Sequence, residues 1–149
     1  MKNEKDLYFV AVKVFLQDSE GRLLIIKDVY DDGWDIPGGR LRPEDFTTPL
    51  ADVVGRKMQE EVGEVVKYEL GEPAVFIRHE RLEVGLNERR GIFAVGYRAK
   101  YLGGEIKLGK YIRDYEWVSL ETFVPEDYFT GGWLQGVKEF QLKYTKQLL

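Results

Sequence analysis

Cysteine is absent from the 149 residues, which excludes disulfides and thiolate metal sites. No apolar run approaches the roughly 20 residues needed to cross a bilayer. Met1 to Asp6 is polar and charged, without the apolar stretch of a signal peptide. A cytoplasmic protein with no membrane contact is the expectation. An excess of positive charge is also missing: the net charge is -4 and the pI is near 5.2. Phosphate neutralisation by Lys and Arg dominates nucleic-acid affinity, so a nucleic-acid partner is not expected. Repeats, low-complexity tracts and Pro/Gly/Ser linkers are lacking as well. With 44% hydrophobic and 32% charged residues, the chain reads as one globular domain over residues 1-149.

The pattern that is present is mixed α/β. Leu7 to Leu16 alternates and is rich in Val and Phe, as a strand requires, and Asp18-Ser19-Glu20-Gly21 turns it into a second strand, Arg22 to Lys27. A polar loop from Asp28 to Gly33 carries Tyr30, and Trp34-Asp35-Ile36-Pro37 leads into Gly38-Gly39. Phe46 to Pro49 closes a loop, with Thr48 as N-cap and Pro49 at the first position of a helix. That helix runs to about Val62, with Gly63 as a left-handed cap, and its buried stripe is Leu50, Val53, Val54, Met58 and Val62. Strands are expected at Val65 to Leu70, Val75 to Leu82, Gly91 to Tyr101, Glu105 to Leu108 and Glu116 to Val118. An amphipathic helix from Trp133 to Leu148 presents Trp133, Val137, Phe140, Tyr144 and Leu148 on one side. Strands on both sides of a central helix, with a closing helix, imply a mixed sheet covered on two faces.

The chemistry concentrates between Gly38 and Gly63. Lys57, Glu60, Glu61 and Glu64 recur at spacings of three and four, on the helix face away from Leu50, Val54 and Met58. Adjacent carboxylates repel unless a positive group sits between them, and hard oxygen donors suit Mg²⁺, which shares substrate phosphates. A glycine pair brings a bare carbonyl to the same ion, since no side chain blocks it. Isolated on a helix, a Glu-Glu pair is ordinarily a solvated surface, with Lys57 and Glu61 as an i,i+4 ion pair.

The stretch GGRLRPEDFTTPLADVVGRKMQEEVG, preceded by WDIP, closely resembles the Nudix box and its lead-in. Gly39, Arg56, Met58, Glu60, Glu61 and Gly63 match by type and order, and Asp45 stands where the family has its first Glu. WVSLETF from Trp117 to Phe123 resembles a late strand-to-helix segment of Nudix domains, and GGEIKL from Gly103 to Leu108 the strand before it. The resemblance implies a Nudix-like α/β/α sandwich with a central mixed sheet. It further implies Mg²⁺-dependent hydrolysis, with Mn²⁺ as an alternative, of a pyrophosphate bond in a nucleoside diphosphate linked to another moiety. Glu60 and Glu61 would hold the metal with the Gly39 carbonyl assisting, and Arg56 would orient a carboxylate; Glu64, one turn beyond Glu60, could take over metal binding if the helix end bends inward. Nudix proteins are often dimers, which leaves a homodimer open.

The sequence departs from the pattern at three places. Ten residues separate Asp45 from Arg56 where the family has seven, a loop insertion that a fold tolerates. Glu64 replaces the closing aliphatic residue. Lys57 stands where the family has the Glu after Arg, and an ammonium neither accepts a proton nor binds Mg²⁺. Gly109-Lys110-Tyr111-Ile112 also lacks the further carboxylate common there. Replacement bases are Glu64, Glu44, Asp45, Glu80 and Glu83; alternatively Lys57 contacts substrate phosphate. Arg78 and Arg81 suit a phosphate or sugar, or else form a charged hairpin with Glu80, Glu83 and Glu88. Tyr30 is a candidate to stack on a base, with Trp34 structural beneath the glycine turn. His79 has a near-neutral pKa but reads first as a strand residue. A non-hydrolysing nucleotide sensor on the same fold, and an acidic interaction domain without a ligand, are the competing readings.

Overall fold

The computed structural model describes residues 4–30, 33–83, 85 and 87–145. Seven strands form one sheet: β1 (Tyr8–Gln17), β2 (Leu23–Asp28), β3 (Trp34–Asp35), β4 (Gly38–Arg40), β5 (Lys67–Glu83), β6 (Glu88–Gly103) and β7 (Ile112–Val118). The main order is β3-β2-β1-β6-β5, with β4 paired to β1 and β7 to β2. Among the described residues only β1 and β6 run parallel, in register from Tyr8↔Gly91 to Gln17↔Lys100. The sheet is therefore mixed, as expected.

Two helices cover it. α1 (Leu50–Val62) packs Val53, Val54, Met58 and Val62 on Val12, Val14 and Leu16 of β1 and on Leu24 and Ile26 of β2. α2 (Gly131–Tyr144) packs Val137 and Phe140 on the other face, against Phe15, Leu23, Ile25 and Ile77. Every residue of β1 from Ala11 to Gln17 is buried, because its two side-chain rows feed two separate cores. This is the α/β/α sandwich read from the sequence.

Several expected boundaries move. Thr48 does not cap α1: Pro43–Thr47 forms a 3₁₀ turn, Thr48 N–H closes it on the Asp45 carbonyl (3.0 Å), and Pro49 is the N-cap. The extra loop residues are taken up by this turn. Leu50 is exposed, since α1 meets the sheet only from Val53 onward. Gly63 has a positive φ of 96°, but its ψ of 159° is extended rather than left-handed helical. The two strands expected over 65–82 are one long strand, β5, irregular between Leu70 and Val75, where Pro73 has no N–H to donate.

Glu105 to Leu108 is not a strand. Lys107 N–H donates to the Val62 carbonyl (2.9 Å) and Gly109 N–H to that of Glu61 (3.1 Å), so this segment satisfies the otherwise open C-terminal carbonyls of α1. Its alternation arises because Ile106 and Leu108 pack on the α1-side core. The closing helix begins at Gly131 and is described to Tyr144; Leu148 lies outside the described residues.

Beside the core, β4 lies antiparallel on the first half of β1, pairing Val12 with Gly39 and Lys13 with Gly38. Gly38 has φ 144°, and a Cβ there would stand 2.0 Å from the Val12 carbonyl oxygen. No side chain fits. Gly38→Ala is expected to lower stability by about 3 kcal/mol through strain and overpacking. Urea unfolding of the two proteins measures this, and equal midpoints would refute it.

Candidate functional site

The glycine turn sits where three elements meet. Val14 N–H donates to the Pro37 carbonyl (2.8 Å), and the Gly38 N–H donates to Glu61 Oε1 of α1 (2.8 Å). Lys13, 5% exposed on β1, donates to both Asp35 carboxylate oxygens (3.0 and 3.1 Å) and to the Ile36 carbonyl (3.1 Å). All three ammonium protons are thus used to hold the lead-in to the turn. Burial pushes the Glu61 carboxyl up to about 7, although Lys13 and the Gly38 N–H pull the other way.

On the α2 side the turn borders a cavity of about 190 Å³, walled by Lys13, Trp34, Arg40, Arg81 and Trp133. This is below the roughly 300 Å³ that encloses a drug-sized ligand, so it takes one ring or sugar while the remainder of a larger ligand lies outside. Trp133 stacks on His79 (4.8 Å between centroids) and lies 5.0 Å from the Lys13 ammonium. Trp34 packs edge-on against Tyr128. Arg40 is ion-paired to Glu83 at 3.1 Å, whereas Arg81 has no carboxylate partner among the described residues.

On the α1 side the arrangement is different. Lys57 is 9% exposed and points inward, not onto a solvated face. Its stem and ammonium fill the open side of Gly39: a Cβ there would stand 2.9 Å from Lys57 Cε and 3.0 Å from Nζ. Burial lowers its pKa, with Glu60 opposing. The ammonium makes no hydrogen bond among the described residues, and its nearest acid is Glu60 at 3.9 Å. Glu60 is also held by Arg42 at 3.3 Å and lies 3.7 Å from Arg56.

The divalent ion implied by the resemblance does not fit this donor set. Glu61 is engaged by Gly38, Glu60 is ringed by three cations, and Glu64 lies exposed past the end of α1. Among the described residues no three Asp, Glu or His side chains converge. At an effective dielectric of 20, unit charges 4 Å apart interact by roughly 4 kcal/mol, so an ammonium opposes a divalent ion by about twice that.

The other sequence candidates separate. Arg81 reaches the cavity; Arg78, an odd number of residues away on the same strand, faces the opposite side of the sheet beside Phe93. Tyr30 is 78% exposed, packs on Tyr111, and does not wall the cavity. His79 Nδ1 accepts the Gly132 N–H (3.1 Å), so this ring supports the start of α2. Glu80 pairs with Arg89 and Glu44 is exposed, while Glu83 pairs with Arg40, which walls the cavity. Sequence reasoning missed Lys13 and Trp133. A lysine inside the apolar run of β1 is the available signal for the first; the second reads in the sequence only as part of the apolar side of the closing helix.

Arg56 orients a carboxylate, and that carboxylate is Asp45. Its guanidinium bonds both oxygens (2.6 and 2.8 Å), and Asp45 also accepts the Arg42 N–H at 2.7 Å. These bonds, Arg56 first, hold the buried Asp45 far below the usual carboxylate range. A depressed folded pKa stabilises above the unfolded value, near 3.9, and the gain is lost as pH falls toward the folded one. Wild type is therefore expected to lose stability below about pH 4 more steeply than Asp45→Asn, which starts several degrees lower in melting temperature at pH 7. Thermal melts from neutral pH to acid check this, and parallel curves would refute it.

The NUDIX domain family model matches residues 7–133. No curated protein matches the chain. Among solved structures, the MutT protein from Methanosarcina mazei Go1 is 22% identical with a TM-score of 0.75, over 97% of this chain and all of that one. An ADP-ribose pyrophosphatase from Streptococcus suis 89-1591 is 15% identical with a TM-score of 0.65, over 95% of each chain. The NUDIX domain of Shewanella oneidensis NrtR, complexed with ADP ribose, is 15% identical with a TM-score of 0.65, over 93% of this chain and 90% of that one. At these identities the structural likeness speaks to the fold, and it agrees with the family model. The chain, from its glycine turn through the Arg56 to Glu61 helix to α2, belongs to the Nudix family.

Proposed function

We propose that this protein binds a nucleoside diphosphate joined to a further group and turns it over little. The observation that carries this reading is the inward ammonium of Lys57 against Gly39, facing Glu60, in the place of a carboxylate. The cavity beside the turn accepts a ring or sugar between Trp34, Trp133 and Arg81, and the diphosphate extends toward Gly38-Gly39. Two structural neighbours are an ADP-ribose pyrophosphatase and a NUDIX domain complexed with ADP ribose, which makes ADP-ribose the first ligand to try.

A second reading is Mg²⁺-dependent pyrophosphohydrolase activity, with Mn²⁺ as the alternative ion. It is favoured by the Glu60-Glu61 pair beside the turn, the two acids to which the resemblance assigns a metal. The two readings separate in one experiment on a panel of nucleoside diphosphate derivatives, followed for binding and for phosphate or nucleotide release. Under the first, at least one member binds, release is close to background, and Lys57→Glu raises Mg²⁺-dependent release by about 10²- to 10⁴-fold, the usual worth of a positioned base. Fast release by wild type, abolished in the Glu60→Gln, Glu61→Gln double variant, would establish the second instead.

A further inference from the structure

We infer that Lys57 supplies from within the chain the positive charge that would otherwise come from a metal ion, so that the α1 side of the site takes a diphosphate without metal. The inference rests on the binding reading above, and it differs from that reading in naming what neutralises the ligand.

Three observations support it. The ammonium of Lys57 has three N–H donors and no acceptor within hydrogen-bond distance among the described residues, although the residue is buried. The ammonium nitrogen itself still reaches solvent, so an anion arriving at it takes the place of water on its donors in charge-assisted hydrogen bonds. Its stem and ammonium lie along the bare face of Gly39, with Cε and Nζ 2.9 and 3.0 Å from where a Cβ would stand. The neighbouring ion pairs are also unevenly shared: Arg56 is bonded by Asp45, whereas Arg42 and Lys57 both lie against Glu60. A diphosphate replacing Glu60 as their partner finds two cations in place; a divalent ion finds the same two cations opposed to it.

The test uses two probes that do not depend on knowing the natural ligand: Mn²⁺ alone, followed by electron paramagnetic resonance, and inorganic pyrophosphate in the presence of chelator, followed by calorimetry. Wild type is expected to bind pyrophosphate in chelator. Lys57→Met, which keeps the stem, should bind it at least about tenfold more weakly, the worth of a charge-assisted hydrogen bond, while Lys57→Arg retains most of the affinity. Ligand-free wild type should bind Mn²⁺ at least about tenfold more weakly than Lys57→Glu. Lys57→Gln, of similar size and neutral, gives a second reading if the methionine variant does not fold. Failure of pyrophosphate to bind without metal, unchanged affinity in both neutral variants, or Mn²⁺ binding by wild type as tight as in Lys57→Glu would each overturn the inference. Nucleotide binding by the panel would survive these results if it required Mg²⁺, so the two proposals fail separately.

Discussion

The fastening of the Gly38-Gly39 turn is the constraint on which the rest of the site depends. Lys13 reaches it from the central strand, through Asp35 and the Ile36 carbonyl, and Glu61 reaches it from α1 through the Gly38 N–H. The turn therefore ties the two cores of the sandwich together at one edge of β1. Both fastenings are ionic groups in partly or fully buried positions, where each hydrogen bond is worth more than at a surface and each unmade one costs more. That arrangement explains why the short β4 stays beside β1 with only three paired residues. It also commits Glu61, one of the two acids to which the resemblance assigns a metal.

Charge in this region is divided by the sheet edge. On the α2 side the cavity holds aromatic walls with Arg40 and Arg81, suited to a ring or sugar carrying polar groups. On the α1 side Arg42, Arg56 and Lys57 surround a single exposed carboxylate. An acidic protein thus gathers several of its cations around the glycine turn. Net charge describes long-range solubility and steering, whereas ligand charge is decided by groups within a few ångströms.

Much of this was legible from residue order. The strand and helix periodicities located both helices and all the long strands, because burial on two faces leaves runs such as Val12 to Leu16 that have no other explanation. Glu105 to Leu108 misled because alternation records only which side chains are buried, and here the backbone partners are helix carbonyls rather than a strand. Leu50 misled because helical spacing says nothing of where the sheet ends. For the site, the motif located Gly39, Arg56, Glu60 and Glu61 but not their partners. That Arg56 holds Asp45, that Arg81 and Arg78 face apart, and that Lys57 turns inward are facts of side-chain direction. Of these, strand parity alone makes the opposite facing of Arg78 and Arg81 legible in the sequence.

The burial of Lys57 is tolerable for a reason that also separates fold from chemistry. Its methylenes lie against Gly39 and contribute apolar contact, while the ammonium keeps a narrow opening to solvent, as long amphipathic side chains do. A glutamate there has a shorter stem and the opposite charge, but neither difference touches the groups that hold α1 in place. Asp45 and Arg56 fix its first half, Val53 to Val62 its buried face, and the carbonyl contacts from Lys107 and Gly109 its end. None of these involves the charge at position 57. On the binding reading proposed above, the sign at this position sets whether the cleft favours a cation or an anion, and a hydrolase framework and an anion-binding framework then differ by one side chain on α1.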